Sequence, residues 1–186
     1  MKLNECLPNT FAFNGQKYPI NLAFDRVLDV QEIQQEPLIS VDEKINLMIE
    51  ALDIECDDIK KPEIIEYVLY NVINQADSEL DIEYDLLGNP MKRTAEVNVK
   101  TLDFEQDSSL IYSAFRQTYG INLYEEFGKM HWYEFVSLLE GLPEDTLLYQ
   151  VRSIRQWEPQ KGDSKEYKRK MRKLKEQYKL RQRKEE

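Results

Sequence analysis

What the chain lacks narrows its chemistry first. Its 186 residues include one histidine, His131, and two cysteines, Cys6 and Cys56, which lie far apart in no CxxC pair. A lone histidine cannot supply the His-rich ligand set of most zinc enzymes, and two isolated thiols build neither a zinc cage nor a disulfide framework. They read as reduced thiols in a reducing cytoplasm. There is no P-loop, no GxGxxG and no GxSxG elbow. The expectation is therefore a non-enzyme with no catalytic, cofactor-binding or metal site. No apolar run approaches the roughly 18 residues that span a bilayer. The start, MKLNECLPNT, lacks the apolar core of a signal peptide. A cytosolic protein without membrane contact is expected.

Charge is present in excess and unevenly spread. The formal net charge is −10, yet residues 158–186 carry 12 Lys/Arg against 6 Asp/Glu, while residues 1–157 carry 13 against 29. An acidic body repels phosphate backbones, so nucleic-acid binding is left to the basic end alone.

The pattern of apolar residues is largely helical. First comes a hairpin at about 10–20, because Asn14-Gly15 suits a two-residue type I′ turn and sets Phe11 opposite Tyr18 and Phe13 opposite Gln16. A hairpin alone is marginal in water, so it should lie on the helical body. A helix at about 22–35 turns Phe24, Val27, Leu28 and Ile33 inward. Ser40 with Glu43 reads as a capping box for a helix carrying Ile45, Met48, Ile49 and Leu52. Pro62 suits a first helical turn, after which Ile65, Val68, Leu69, Val72, Ile73 and Ala76 form a wide stripe.

Residues 77–102 lose the period and read as an exposed loop, with AEVNVKTL as a short strand. The acidic lead-in is no EF-hand, because Gly88 stands where a bidentate glutamate is required. Asp103 reads as the cap of the next helix, with Phe104, Ile111, Phe115 and Tyr119 near one face and Gly120 at its C′ position. Asn122 and Glu125 cap a short helix. Trp132, Phe135, Val136 and Leu139 repeat at helical spacing, which puts Trp132 in the core and His131 one step off the stripe. His131 reads as a solvated or capping residue. Pro143-Glu144-Asp145 opens a helix with Leu147, Leu148, Val151 and Ile154 inward.

The fold class that follows is all-α: a compact domain of about six helices over residues 1–157 with a small N-terminal β-hairpin. Residues 158–186 form a basic C-terminal tail, helical or disordered. In that tail Tyr167, Met171, Leu174 and Tyr178 step by 4, 3 and 4, a narrow seam of the coiled-coil kind, flanked by Lys168 and Arg172. These six residues are the candidate partner-binding set. Other readings of the tail are a solvated charge run and a contact with nucleic acid or a membrane surface.

Three blocks in order, NLAFDRVLDV…SVDEKINLMIEAL, LDFEQDSSLIYSAFRQTYGINL and MHWYEFVSLLEGLPEDTLLYQVRSIRQW, resemble the bacteriophage gene product fifteen family of long-tailed phages and prophages of Gram-positive bacteria. The resemblance covers roughly residues 20–157. It implies a tail assembly chaperone in the host bacterial cytoplasm that binds the tape-measure protein and keeps it soluble. The major tail protein and a neighbouring tail chaperone are further candidate partners. No catalytic or cofactor residue comes with the resemblance. The alternative is a nucleic-acid-binding regulator acting through the basic tail.

Overall fold

In the computed structural model, which describes residues 4–74 and 101–181, Asn14 and Gly15 both hold positive φ, 48° and 79°. That is what a type I′ turn requires of its two central residues. The turn joins β1 (Thr10–Phe13) to β2 (Gln16–Pro19), antiparallel, in the expected register of Phe11 opposite Tyr18 and Phe13 opposite Gln16. A Cβ added at Gly15 meets nothing within 4 Å. Gly15→Val should therefore cost about 1–2 kcal/mol, wholly through the left-handed backbone. Urea unfolding checks this, and Gly15→Asn should cost much less.

The helices among the described residues are α1 (Phe24–Gln35), α2 (Val41–Ala51), α3 (Lys61–Val68), α4 (Ser108–Tyr119), α5 (Trp132–Glu140), α6 (Leu147–Gln156) and α7 (Lys165–Gln177). Helix α3 runs on through a π-turn, Leu69–Ile73. The described residues are mostly helical with one small hairpin, as the patterning predicts. The expected exposed loop and short strand of 77–102 lie outside the described residues except for Thr101 and Leu102, as does Ala76.

The chain divides into two compact units. Among the described residues the first holds 4–74 and 124–138, the second 101–123 and 139–181. The division expected at 157/158 coincides with neither limit. Residues 158–181 belong to the second unit.

In the first unit α1 packs on α2 and α2 on α3. Ser40 Oγ accepts from Glu43 N at 3.4 Å, so the predicted N-cap of α2 stands. That helix ends in a Schellman motif: Asp53 N donates to Glu50 O and Ile54 N to Ile49 O. Asp53 takes the left-handed position, φ 52°, where glycine is usual, and its carboxylate accepts from Asn21 Nδ2 at 2.9 Å. The hairpin lies against α3 through Tyr67, whose ring is 6.1 Å from Phe11 and 5.3 Å from Phe13. In α1 the inward residues are Phe24, Val27 and Val30. Val30 replaces the expected Leu28 and Ile33, which are half-buried, because Phe24, Val27 and Val30 follow one another at about 60° on one face while Leu28 and Ile33 fall roughly 100–120° from its centre.

In the second unit α4 and α7 both pack against α6. Helix α4 starts later than expected. Asp103 Oδ1 accepts from Glu105 N and Gln106 N and so caps a preceding turn, while the helix itself begins at Ser108. Gly120, φ 71°, ends it as predicted. The stretch expected as a short helix from Asn122 is a single 3₁₀ turn, Leu123–Glu125, which falls across the two units. Helix α6 also starts late: Thr146, not the Pro143–Asp145 stretch, is its cap, accepting from Tyr149 N and donating to Pro143 O. That shift leaves Leu147 half in solvent, although its apolar character predicts burial.

Candidate interaction surfaces

The lone histidine is accounted for by local structure. Phe24 N donates to Met130 O and Trp132 N to Leu22 O, so residues 22–24 and 130–132 form a short antiparallel bridge. That bridge places His131 immediately before α5. Its Nδ1 accepts from Tyr133 N at 3.1 Å, and its Nε2 lies 3.0 Å from Pro8 O. That arrangement suits hydrogen on Nε2, donating to the carbonyl, while Nδ1 acts as a helix cap. Both ring nitrogens are thus engaged. The neighbouring open groove, about 410 Å³, includes Asn21 and Asp53, whose side chains bond each other. His131→Ala should cost about 1 kcal/mol through the lost cap. It should leave partner binding unchanged, as a pull-down measured beside thermal unfolding will check.

The C-terminal candidate residues lie on one helix. Ser164 Oγ accepts from Tyr167 N at 3.1 Å and starts α7. Helical spacing puts Tyr167, Met171, Leu174 and Tyr178 on one face. Met171, Leu174 and Tyr178 are half-buried, and so is Lys168 at the flank. Tyr167 is exposed but sets its ring edge-on to Trp157, with centroids 6.1 Å apart. The seam therefore faces its own unit in large part. The opposite face presents Lys165, Arg169, Arg172 and Lys173 to solvent, and Lys170 is exposed at the edge of the seam.

A buried ion pair anchors that helix. Arg155, 7% exposed, donates from Nη1 and Nη2 to the two carboxylate oxygens of Asp107 at 2.6 and 2.8 Å. The same guanidinium donates from Nε to Tyr178 O at 2.7 Å and from Nη1 to Thr101 O at 2.9 Å. Gln106 reinforces this end, accepting from Arg181 N and donating to Arg181 O, while Lys175 Nζ donates to Trp157 O. Sequence reading passed over both Asp107 and Arg155. Each sat in a stretch rich in charge, and nothing local distinguished this carboxylate from the other 34 Asp/Glu.

An aromatic surface in the first unit was also missed. Tyr124 is 69% and Phe127 51% exposed, their rings 5.7 Å apart and edge-on. Phe127 in turn lies 5.7 Å from buried Phe24, Phe24 stacks on Phe135 at 4.9 Å, and Phe135 lies 5.7 Å from Trp132. An aromatic column thus runs from the core to solvent. Its outer pair sits in LYEEFGK, which has no helical period to signal a face. The thiols differ in setting. Cys6 is exposed, whereas burial above all raises the pKa of half-buried Cys56, with Lys61 opposing. At pH 8 Cys6 should alkylate faster than Cys56, as peptide mapping after limited iodoacetamide treatment will show.

Residues 3–180 match the family described as bacteriophage Gp15 protein. The chain belongs to this family. The match takes in both the 77–100 segment and the C-terminal helix, beyond the 20–157 expected from the motifs. No curated protein and no solved structure matches the chain.

In this gene product fifteen protein, the two motif blocks supply structure. DFEQD contributes the Asp103 cap and the Asp107 partner of Arg155. HWYEF contributes the His131 cap, the buried Trp132 and Phe135, and Tyr133, whose hydroxyl donates to Val72 O at 2.7 Å. Among the described residues no helix is long and apolar enough to cross a membrane, and no group of three or more His, Cys, Asp or Glu is placed to hold a metal ion.

Proposed function

We propose that this protein is a non-enzymatic tail assembly chaperone that binds the tape-measure protein and keeps it soluble in the host cytoplasm. Family membership gives the phage context. The observation that carries the reading further is the exposed Tyr124–Phe127 pair on its buried aromatic column. Aromatic side chains held rigid at a surface offer large apolar contact at low conformational cost, which suits a partner with apolar helical stripes. The acidic body keeps such a complex dispersed. The α7 candidates, Tyr167, Met171, Leu174, Tyr178, Lys168 and Arg172, remain part of this proposal. Their apolar members must leave Trp157 and α6 to reach a partner.

Co-expression with the tape-measure protein of the same phage tests it. Soluble tape measure should be recovered with the wild type and fall about tenfold with Tyr124→Ser/Phe127→Ser, a variant that keeps its fold with at most a modest loss of thermal midpoint from the lost Phe127–Phe24 contact. Equal solubility of the tape measure without this protein would remove the chaperone reading. A second reading, nucleic-acid binding through the tail, rests on the five solvent-facing cations of α7. It requires affinity for duplex DNA that falls steeply with salt.

A further inference from the structure

Two exposed charge stripes of opposite sign share one spacing. On α1, Asp29, Glu32 and the cap residue Glu36 are separated by 3 and 4 residues and fall within about a 60° arc. On α7, Lys165, Arg169 and Arg172 are separated by 4 and 3 and fall within a similar arc. Read antiparallel, the two series coincide: Arg172 meets Asp29, Arg169 meets Glu32 and Lys165 meets Glu36. Each series spans about 10 Å of helix.

Asp29, Glu32, Lys165, Arg169 and Arg172 are all exposed, and none makes a hydrogen bond or ion pair among the described residues. Glu36 is half-buried and accepts only from Leu38 N. The seam side of α7 is occupied by its own unit, so the basic face is the free one. Around α1, the described part of the first unit carries 17 Asp/Glu against 6 Lys/Arg.

We propose that the basic face of α7 docks on the acidic stripe of α1 in a second copy of this chain. The two faces differ, so the contact is head-to-tail, and each copy keeps one unsatisfied face for the next. Nucleic acid is the less fitting occupant, because the acidic first unit repels a polyanion and the basic arc itself carries no aromatic ring for base stacking. The pairs are solvent-exposed, so the association is weak and sensitive to salt. This inference does not rest on tape-measure binding, although Arg172 belongs to both sets, and it is tested without that partner.

Sedimentation velocity of the full chain over a concentration series decides it. The weight-average mass should rise with concentration at about 50 mM salt and return to the monomer value at about 500 mM. Asp29→Lys/Glu32→Lys and Arg169→Glu/Arg172→Glu should each weaken association about tenfold or more, with thermal midpoints near wild type. Mixing the two variants, or combining all four substitutions in one chain, should restore it. A mass that stays monomeric at low salt overturns the proposal, as does association that ignores both variants or is not regained on mixing. Salt-sensitive binding of duplex DNA lost in Arg169→Glu/Arg172→Glu, with no self-association, assigns the face to nucleic acid instead.

Discussion

Trp132→Ala should destabilise the protein by about 3–5 kcal/mol, the range for removing a large buried aromatic. The indole is 0% exposed and stacks near Phe135 with an interplanar angle of 22°. Its Nε1 donates to Ile73 O at 3.3 Å, at the end of the π-turn that extends α3. The substitution opens a cavity between α5 and that turn and also leaves the Ile73 carbonyl without its indole donor. Trp132→Phe keeps most of the packing and loses the hydrogen bond, so it should cost about 1–2 kcal/mol. Urea denaturation monitored by far-ultraviolet circular dichroism measures both. A loss below about 1 kcal/mol for the alanine variant would contradict the assignment of Trp132 to the core.

The second large effect concerns Arg155. Removing one member of a buried pair strands the other charge, at a cost of about 3–5 kcal/mol. Arg155→Met and Asp107→Ala should each fall in that range. Arg155→Lys should also be costly, because an ammonium group cannot reach both carboxylate oxygens, Tyr178 O and Thr101 O at once. Asp107→Leu combined with Arg155→Met should recover much of the loss. The carbonyls of Tyr178 and Thr101 still lack donors in that double variant, leaving it roughly 1–2 kcal/mol short. Hydrogen exchange provides the local readout: protection across α7 should drop in Arg155→Met well before the whole unit unfolds. Unchanged protection there would show that the helix is held by its apolar seam alone.

The same pair also bears on truncation. Sequence patterning places residues beyond 157 in a tail outside the 1–157 domain, and no α7 side chain is fully buried. Yet Tyr178 O receives Arg155 Nε, and Arg181 is tied to Gln106 by two hydrogen bonds. A chain ending at residue 157 loses these acceptors. It should be less stable than the full chain, where the seam by itself predicts near equality.

Local chemistry made most elements legible. The hairpin turn needs only a short polar pair that tolerates positive φ, and Asn14-Gly15 is that pair wherever it occurs. Ser40 and Gly120 mark helix ends through bonds or angles confined to a few residues. The Trp132–Leu139 stripe works because a long apolar series at period 3.6 has one way to be buried. Helix starts were read less well. At Asp103 and Pro143 an acceptable cap preceded the true start, and the chain used it for a turn first.

Sequence alone thus determined the helical class, the hairpin register and the buried face of α5, each settled by neighbours a few residues apart. Only the tertiary structure decided what depends on meetings between distant segments. It chose Asp107 as the partner of Arg155, turned the α7 seam toward its own unit, gave His131 the Pro8 carbonyl, and left Tyr124 and Phe127 in solvent. A charge or a ring carries no local record of which remote surface will desolvate it. That outcome depends on how the elements pack, and packing is a property of the whole unit.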